Sequence, residues 1–541
     1  MSIEINRGIL FGKLAPPPSK SQSLRALLFA YLANGESIIS NLLDSPDIDA
    51  MKQGIEMLNK GGGLINCGNS GITLRFLMGI AALKSFPVSF TGDASLQKRP
   101  IKPLLKALEQ LGAKVSKPLT VQGPIKGGKV EVEGHDSQFV SALLITCSLA
   151  DGDTELTVTN PGEHPWVDLT LDWLKKVGGV VERDGYTYYK IKGNRTFSSF
   201  TYDVPSDLSS LAFPVSASLI CPSRIELENL VWDPLQGDKR FFSILEQMGA
   251  KLDFAVLHGP QQLSGIEVDM NDCIDAVPIM ATLACFAKGV TIIKGVAFAR
   301  MKESNRLYSI ATELNKMGAD VRETEDGLII HPRPLSGASL FSHEDHRIAM
   351  SLYVAAMRAN SKSELKSTGC ITKTFPSFIH DFQRLGRLYL MGAPFSGKTL
   401  IGKSLAEMWK VPFYDSDHLI SEKHGESVRV LHKKWGETRF REEESKVLSD
   451  LDKTGIISLG GGATGSFNGF RVYLNVPTEV LWQRVTGEPS YLDPQDPKGS
   501  FFRLIESRRP HYENSSDLTV DLGDKNLENA VKEVVERLNG K

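Results

Sequence analysis

One short pattern recurs along the first two-thirds of the chain and constrains its fold more than any other feature. It is an amphipathic helix that ends at a glycine and is followed by a strand with alternating apolar residues. Copies lie at 57–65, 107–115, 173–181, 244–252 and 313–321, and a sixth, FIHDFQRLG, ends at Gly386. Glycine suits this position because the residue after the last helical turn favours a left-handed backbone.

The spacing of the closing glycines indicates a repeated architecture. Between glycines 112, 178, 249, 318 and 386 the intervals are 66, 71, 69 and 68 residues. Such units are longer than the roughly 20–50 residues of a solenoid repeat, so each can hold a βαβ-like subdomain. With the copy at Gly61, they predict an α/β fold of two pseudo-symmetric halves with three units each. Helix–glycine–strand junctions are common in α/β proteins, and coincidence is the alternative.

Composition limits the possible functions. The chain has 541 residues and a formal net charge of −2. This length exceeds the roughly 250–300 residues of a single core, and the charge gives no basic field for nucleic acid. No apolar run reaches the roughly 18 residues that span a membrane, and the N-terminus lacks the apolar stretch of a signal peptide. Six scattered cysteines without a CxxC motif favour a reducing compartment. We expect a cytoplasmic monomer that binds neither nucleic acid nor membrane.

The stretch RLGRLYLMGAPFSGKT, residues 384–399, joins the sixth repeat to a phosphate-binding loop. Gly392, four further residues and Gly397-Lys398-Thr399 lie between a buried strand and a helix, as such a loop requires. Backbone N–H groups wrap the β-phosphate, Lys398 reaches the β and γ oxygens, and Thr399 ligates Mg²⁺. A second domain with a parallel sheet flanked by helices is therefore predicted. No Pro/Gly/Ser-rich tether precedes it, so the two parts are expected to lie in close contact.

Cationic residues cluster in several short segments of the first part. PPPSKSQSLRALLF places Lys20, Ser21 and Arg25 around the start of a helix, where free N–H groups attract anions. Comparable segments are INCGNSGITLRFL, GDASLQKRP, ARMKESNRL, EDHRIAM and TGCITKTFP. Because they are spread through the repeats, a cleft between the two halves would gather them around an anionic substrate.

Taken in order, these segments resemble the 5-enolpyruvylshikimate-3-phosphate (EPSP) synthase family. The resemblance covers about residues 1–386 and rests on SKSQSLRA, GNSGITLR, KRP, HDSQF, CIDAVP, KESNR, EDHR and TKTFP. It implies two inside-out barrel halves of three βαβαββ units, about 16–203 and 1–15 plus 204–386. The implied reaction moves the enolpyruvyl group of phosphoenolpyruvate onto the 5-hydroxyl of shikimate 3-phosphate and releases phosphate.

The resemblance also implies roles for individual residues. For shikimate 3-phosphate these are Lys20, Ser21, Arg25, Ser137, Gln138, Asp275 and Lys302. For phosphoenolpyruvate they are Lys20, Gly71, Arg99, Gln138, Arg306, Arg347 and Lys373. Asp275 is implied as the proton acceptor and Glu303 as the proton donor, with Lys20 and His346 in support. Without the resemblance, Asp275 is explained equally well as a helix N-cap.

The chain departs from the family pattern around the sugar phosphate. Asp136 stands where a serine is usual, Asn305 replaces an aspartate, and Glu163 and Trp166 replace a serine and a tyrosine. These changes concern how the phosphate is held. The rival is the related UDP-N-acetylglucosamine enolpyruvyl transferase family, which shows a Lys-Asn pair and a reactive loop cysteine; this chain has Lys20-Ser21.

The last third resembles shikimate kinase through FYDSD, FREEE, SLGGGA and RRPHY, over about 387–541. The implied shikimate ligands are Asp417, Arg441, Gly460, Gly461, Gly462 and Arg508. The implied ATP ligands are Gly392, Ala393, Pro394, Phe395, Ser396, Gly397, Lys398, Thr399 and Arg484, with Lys398 catalytic. Thr399 and Asp415 would hold Mg²⁺.

One departure concerns the kinase lid. Glu488 stands at or near the position of an arginine that stabilises the transferring phosphoryl group, and an acid cannot serve that role. Two hypotheses therefore stand. The chain is a bifunctional enzyme that makes and then consumes shikimate 3-phosphate, or its C-terminal part is a weakened or non-catalytic binding module.

Overall fold

The structure is a computed structural model that describes residues 1–449, 453–463, 467–486 and 492–540. Residues 1–203 form strands β1 (Ser2–Ile5), β2 (Leu10–Leu14), β3 (Ala33–Asn34), β4 (Ile38–Ser40), β5 (Gly63–Asn66), β6 (Val88–Thr91), β7 (Lys114–Ser116), β8 (Thr120–Gln122), β9 (Lys129–Glu133), β10 (Thr154–Thr159), β11 (Val181–Asp184), β12 (Tyr188–Ile191), β13 (Phe197–Ser198) and β14 (Thr201–Asp203). Their helices are α1 (Lys20–Leu32), α2 (Pro46–Asn59), α3 (Gly71–Ala81), α4 (Lys102–Gln110), α5 (Ser137–Leu149) and α6 (His164–Val177).

Residues 204–386 repeat this mixture of elements. The strands are β15 (Ser223–Leu227), β16 (Val256–Gly259), β17 (Glu267–Asp269), β18 (Thr291–Lys294), β19 (Asp320–Glu323), β20 (Leu328–His331), β21 (Ser339–Phe341) and β22 (Ser363–Lys366). The helices are α7 (Leu208–Ile220), α8 (Lys239–Gln247), α9 (Val277–Ala284), α10 (Arg306–Lys316), α11 (His346–Ala356) and α12 (Phe378–Leu385). Short 3-10 helices lie at Leu96–Lys98, Asn271–Ala276, Ala297–Met301 and Thr368–Lys373.

Three four-stranded sheets share one topology, which confirms the repeated units. Their orders are β5-β6-β8-β7, β9-β10-β12-β11 and β17-β18-β20-β19. In each, the first pair is parallel and the other two pairs are antiparallel. Smaller sheets, β2-β15-β16 and β1-β22-β21, combine the N-terminal strands with the second half.

Buried helices fill the centre of each half. Every residue of α3 and of α7 is buried, as expected of helices that are apolar all round. Strands such as β9 bury only alternate residues, so one face of the sheet meets solvent. Helices inside and sheets outside give the inside-out arrangement that the resemblance implies. One core draws its buried residues from Leu24 to Phe197, and the other from Ile5 to Leu14 and Leu208 to Leu385.

The repeat glycines behave as predicted at five of the six positions. Gly61, Gly112, Gly178, Gly249 and Gly318 have φ between 90° and 101°. The sixth expectation is wrong, because Gly386 has a φ of −76°. A Cβ at Gly386 would lie 2.8 Å from Thr454 Cγ2, so close packing explains this glycine. The strand predicted directly after Gly249 is also absent from this described part of the chain, where β16 begins only at Val256.

The last third forms a parallel sheet covered by helices. The strands β23 (Arg387–Met391), β24 (Phe413–Asp415), β25 (Gly455–Ser458), β26 (Phe470–Asn475) and β27 (Leu518–Asp521) pair in the order β24-β25-β23-β26-β27. The helices are α13 (Lys398–Trp409), α14 (Ser416–His424), α15 (Val428–Ser449), α16 (Thr478–Gln483), α17 (Pro497–Ser515) and α18 (Leu527–Leu538). All residues of β23 are buried, as in a strand with helices on both faces.

Strand β2 contributes side chains to the hydrophobic cores of both parts of the chain. Successive side chains of a strand point to opposite faces. Leu10 belongs to the core of the second half, whereas Phe11 belongs to the core of the C-terminal domain. The Phe11 ring stacks on Trp409 with a centroid distance of 5.7 Å. The close contact predicted from the missing tether is confirmed.

None of the helices in the described residues combines the length and the apolar character needed to cross a membrane.

Candidate active sites

The cationic segments converge on one cleft between the two halves. Predicted residues that line it are Lys20, Ser21, Arg25, Gly71, Arg99, Ser137, Gln138, Asp275, Lys302, Glu303, Arg347 and Lys373. Arg306 reaches it through Asp275, and His346 is buried nearby. The free volume of the cleft is about 90 Å³. Pockets that hold small molecules usually measure about 300–1,000 Å³, so the protein's own side chains fill this cleft.

Several helices begin at the cleft, and their free N–H groups create an anion-binding environment. Ser19 and Ser70 cap α1 and α3 by accepting from Gln22 N and Thr73 N. Two departures from the family pattern serve the same purpose. Asp136 accepts from Gln138 N at 3.0 Å, and Asn305 accepts from Tyr308 N at 3.2 Å. Asp136 also pairs with Arg75 at 3.1 Å, which explains an acid near an anion site.

Asp275 lies on the second half and faces two arginines. Its carboxylate accepts from Arg306 Nη1 at 2.6 Å and lies 3.6 Å from Arg347 Nη2. Burial alone would raise the pKa of Asp275, but Arg306 and Arg347 hold it well below its ordinary value. The helix-cap alternative is wrong, since the residue before α9 is Ala276 and no side chain caps that helix. The Asp275 carboxylate is therefore ionised in the cleft, where it accepts a hydrogen bond from Arg306.

Glu303 lies among three cations. Its carboxylate accepts from Lys373 Nζ and Arg306 Nη2, each at 2.8 Å, and lies 3.7 Å from Arg99 Nη1. Burial acts to raise the pKa of Glu303, and Lys373 and Arg99 reverse this and hold it well below the ordinary value. In this arrangement Glu303 is ionised, and it can become an acid only when other anions take up its cations.

Of the two supporting candidates, His346 is buried and Lys20 is partly buried. Desolvation lowers the pKa of Lys20, whose Nζ lies 3.4 Å from Asp47 Oδ2. Desolvation, with repulsion from Arg347, also holds the pKa of His346 well below its ordinary value. His346 is neutral at physiological pH, so it is a weak candidate for donating a proton. Arg25 donates to Thr170 Oγ1 at 3.0 Å and to Trp166 O at 3.2 Å.

Sequence reasoning missed several residues that orient the cations. Asp47 faces Lys20, Asp345 accepts from Arg306 Nε at 2.8 Å, and Asn69 accepts from Lys373 Nζ at 2.6 Å. Asn69 and Asp345 stand inside the quoted motifs GNSG and EDHR. Asp345 directly precedes α11, and Asn69 lies one residue before Ser70, the cap of α3, so a polar residue near a helix start within a cationic motif is the signal for both. Asp47 has no such signal, because only the fold brings it to Lys20.

The phosphate-binding loop runs from Gly392 to Thr399, between β23 and α13. Gly392 has a φ of 144°, and a Cβ there would lie 2.9 Å from Leu474 O, so a glycine is required. Lys398 Nζ donates to Gly392 O at 2.9 Å and to Ala393 O at 2.8 Å. Desolvation lowers the pKa of Lys398 to about 8 although Asp417 opposes this. The lysine is held folded on the loop.

Thr399 and Asp415 lie together beside this loop. Thr399 Oγ1 donates to Asp415 Oδ2 at 2.9 Å. Both offer oxygen atoms, and Mg²⁺ in phosphoryl-transfer sites takes one or two protein oxygens together with phosphates. The pair fits Mg²⁺ bound with ATP. The described residues contain no cluster of three or more His, Cys, Asp or Glu that could hold a metal alone.

A cradle of opposite charges adjoins the loop. A Cβ at Gly462 would overlap the Arg441 guanidinium and lie 3.1 Å from Arg508 Nη2, and a Cβ at Gly460 would lie 2.9 Å from Asp417 Oδ1. Arg508 Nη1 also donates to Gly461 O at 3.0 Å. Thus Gly460 and Gly462 leave room for two arginines and for the carboxylates of Asp417 and Glu444.

Glu444 is a further residue that sequence reasoning did not select. It accepts from Arg441 Nη1 at 2.6 Å and is 1% exposed, so it fixes that arginine. Arg484 lies at the C-terminal end of α16. Glu488 lies outside the described residues.

Known proteins share this architecture. The family model described as EPSP synthase (3-phosphoshikimate 1-carboxyvinyltransferase) matches residues 6–62 and 58–382, and the shikimate kinase model matches 391–539. The 3-phosphoshikimate 1-carboxyvinyltransferase of Chlamydia pneumoniae is 41% identical over 411 residues, which cover 70% of this chain and 92% of that protein. The enzyme of the same name from Chlamydia trachomatis serovar D is 43% identical over 415 residues, covering 70% and 94%.

A solved structure extends the likeness to the fold. The EPSP synthase of Acinetobacter baumannii is 28% identical, has a TM-score of 0.60, and covers 71% of this chain and 97% of its own. Two inside-out halves around a cationic cleft, fused to a phosphate-loop domain, define an enolpyruvyl transferase joined to a kinase-like domain. The chain belongs to the EPSP synthase family and carries a shikimate kinase family domain at its C-terminal end.

Proposed function

We propose that the chain catalyses two successive reactions. The C-terminal domain phosphorylates shikimate with ATP, and the N-terminal part transfers the enolpyruvyl group of phosphoenolpyruvate to the 5-hydroxyl of the resulting shikimate 3-phosphate. The observation that carries the proposal is the presence of two separate groups of functional residues on one chain. Asp275 and Glu303 face cations in the cleft, and Lys398 and Thr399 lie beside the cradle of Asp417.

In the transferase part, Asp275 would accept the proton of the attacking hydroxyl. Phosphoenolpyruvate brings a phosphate and a carboxylate, which would engage Arg99, Arg306 and Lys373. Those cations now hold Glu303 ionised, so their engagement would raise its pKa. Glu303 could then protonate the methylene carbon while the hydroxyl oxygen bonds to the adjacent carbon. Loss of phosphate from that carbon, with return of a methyl proton to Glu303, would restore the double bond of the product. General acid–base catalysis of this kind contributes about 10²–10⁴-fold to the rate.

In the kinase part, the loop amides and Lys398 would hold the phosphates of ATP. Bound with the nucleotide at Thr399 and Asp415, Mg²⁺ supplies neutralisation of the charge on the transferring group. Arg441 and Arg508 offer planar donors for the shikimate carboxylate, and Asp417 offers an acceptor for its hydroxyls. Phosphoryl transfer depends mainly on such positioning and charge neutralisation.

The fusion of the two domains supplies both activities in equal amounts. We also propose that the enzyme works as a monomer. We place it in the cytoplasm, because unpaired cysteines such as those of this chain are typical of reducing compartments.

The kinase assignment is tested on the full chain with ATP, Mg²⁺ and shikimate, without phosphoenolpyruvate. We expect ADP and shikimate 3-phosphate, and loss of both products in Lys398→Ala. Shikimate binding without turnover would instead identify the domain as a non-catalytic binding module. A second assay supplies phosphoenolpyruvate with either shikimate 3-phosphate or UDP-N-acetylglucosamine, and turnover of the latter alone would favour the rival family.

A further inference from the structure

The carboxylate of Glu163 occupies hydrogen-bond donors that the acceptor substrate needs. It accepts from Ser137 N at 3.3 Å, from Ser137 Oγ at 3.1 Å, and from the Lys302 ammonium. Ser137 and Lys302 are two of the residues expected to bind shikimate 3-phosphate. One carboxylate of the protein therefore sits where the proposed function places the anion of the acceptor.

Its donors form an anion site of the usual kind. Ser137 is the first residue of the thirteen-residue helix α5, so its N–H is one of the free amides at a positive helix end. Lys302 adds a full charge from the other half of the chain. Glu163 and Lys302 are only 3% and 13% exposed, counting the whole residue for Glu163 and the side chain for Lys302. The same set of amide, hydroxyl and ammonium donors would suit a phosphate.

A phosphate cannot simply join Glu163 at these donors. Asp136 also lines the cleft beside Ser137. A dianion placed against two carboxylates in a buried site meets strong like-charge repulsion. Asp136 has a separate role because it pairs with Arg75 and caps α5. Both side-chain partners of Glu163, Ser137 and Lys302, are themselves expected acceptor ligands.

The position of Glu163 indicates a built-in contact. Its backbone adopts a left-handed conformation with a φ of 49°, which is uncommon for a residue other than glycine. It directly precedes α6, and the preceding Gly162 packs closely, since a Cβ there would lie 2.9 Å from His135 O. The Glu163–Lys302 pair also connects the two halves across the cleft.

We propose that Glu163 is a specificity-determining residue that acts as a resident anion in the acceptor subsite. It holds Ser137 and Lys302 in the free enzyme, and the phosphate of the acceptor must displace it. The apparent affinity for the acceptor then equals its intrinsic affinity multiplied by the fraction of enzyme in which Glu163 does not hold Ser137 and Lys302. This inference rests on the proposed function, because it assumes a phosphorylated acceptor.

The test compares the full chain with Glu163→Gln, which keeps the shape and removes the charge. Binding of shikimate 3-phosphate is measured by calorimetry, and the KM values of both substrates are measured with kcat. We expect the variant to bind shikimate 3-phosphate about tenfold or more tightly. Its KM for phosphoenolpyruvate should change less than threefold, so the gain is confined to the acceptor, which a general structural defect would not produce.

Glu313→Gln is the matched control. Glu313 is also a buried carboxylate, 1% exposed and paired with Lys316 and His343, but it does not line the cleft. It should leave acceptor affinity unchanged. If Glu163→Gln binds shikimate 3-phosphate equally or more weakly, the inference is overturned while the proposed function stands. If neither the parent chain nor the variant binds it, both are overturned.

Discussion

Among single residues, Asp275 has the most direct part in the proposed transferase reaction. We expect Asp275→Asn to lower the transferase kcat by about 10²–10⁴-fold, because the amide cannot accept the proton of the hydroxyl. Affinity for shikimate 3-phosphate should change less than tenfold. Arg306 keeps its pairing with Asp345 and Glu303, so the cleft should stay assembled. Steady-state kinetics together with calorimetric binding separate the two effects.

Asp272→Asn is the control for this prediction. Asp272 lies in the same 3-10 helix, but its side chain is 50% exposed. Its substitution should leave kcat within about twofold. An Asp275→Asn variant with normal kcat would contradict the role of Asp275 as the base.

Lys398 leads to a pH prediction for the kinase reaction. Burial lowers its pKa to about 8 in the free enzyme, and bound phosphates favour the charged form. Binding of ATP therefore benefits fully from the charge below pH 8 and loses it as the pH rises above 8. We expect kcat/KM for ATP to be level below pH 8 and to fall about tenfold per pH unit above it.

Lys398→Arg provides the matched control for the pH profile. Arginine stays charged throughout this range, so the variant should lose the fall above pH 8 even if its activity is lower. The same fall in both proteins would show that another group titrates.

The residue scale also shows what sequence patterns can reveal. The motifs predict the cations Lys20, Arg99 and Lys373, which the structure brings to one cleft. They do not predict Asp47, which lies far from any cationic motif. A carboxylate partner is chosen by the folded geometry, and no local spacing announces it.

At the scale of elements, strand β2 faces two cores. We expect Phe11→Ala to destabilise the C-terminal domain by about 3–5 kcal/mol, the usual cost of removing a buried ring. Phe11 is 1% exposed and packs on Trp409 and Phe470. Calorimetric unfolding of the full chain should show the kinase transition lowered by about 10 °C.

Leu10→Ala is the control on the opposite face of β2. Leu10 is fully buried in the core of the second half, so its loss should lower the transferase transition first. Equal effects of the two substitutions on both transitions would contradict a strand shared between two cores. The same contact makes the intact chain, rather than an excised kinase domain, the proper material for assays.

Elements also mark the limits of pattern reasoning. Five repeat glycines end their helices in the predicted left-handed backbone conformation, because that conformation strongly favours glycine. Gly386 shares the local pattern but is explained by its packing against Thr454. A glycine required by close approach and one required by its backbone conformation look alike in a sequence.

For the molecule as a whole, the sequence predicts most of the fold but does not predict which side chains pair inside the cleft. Repeat spacing and motif order indicated two halves and a fused kinase domain, and the family matches agree. The pairing of Lys302 with Glu163 and of Arg99 with Glu303 depends on how the halves meet. That contact joins residues more than a hundred positions apart, so it follows from the closed structure alone.

One chain is proposed to catalyse both reactions in succession. The direct measurement supplies the full chain with ATP, Mg²⁺, shikimate and phosphoenolpyruvate, and identifies the products by mass spectrometry. We expect ADP, inorganic phosphate and the enolpyruvyl ether of shikimate 3-phosphate, with shikimate as the only acceptor added. Unchanged shikimate, in an enzyme that still converts added shikimate 3-phosphate, would contradict it.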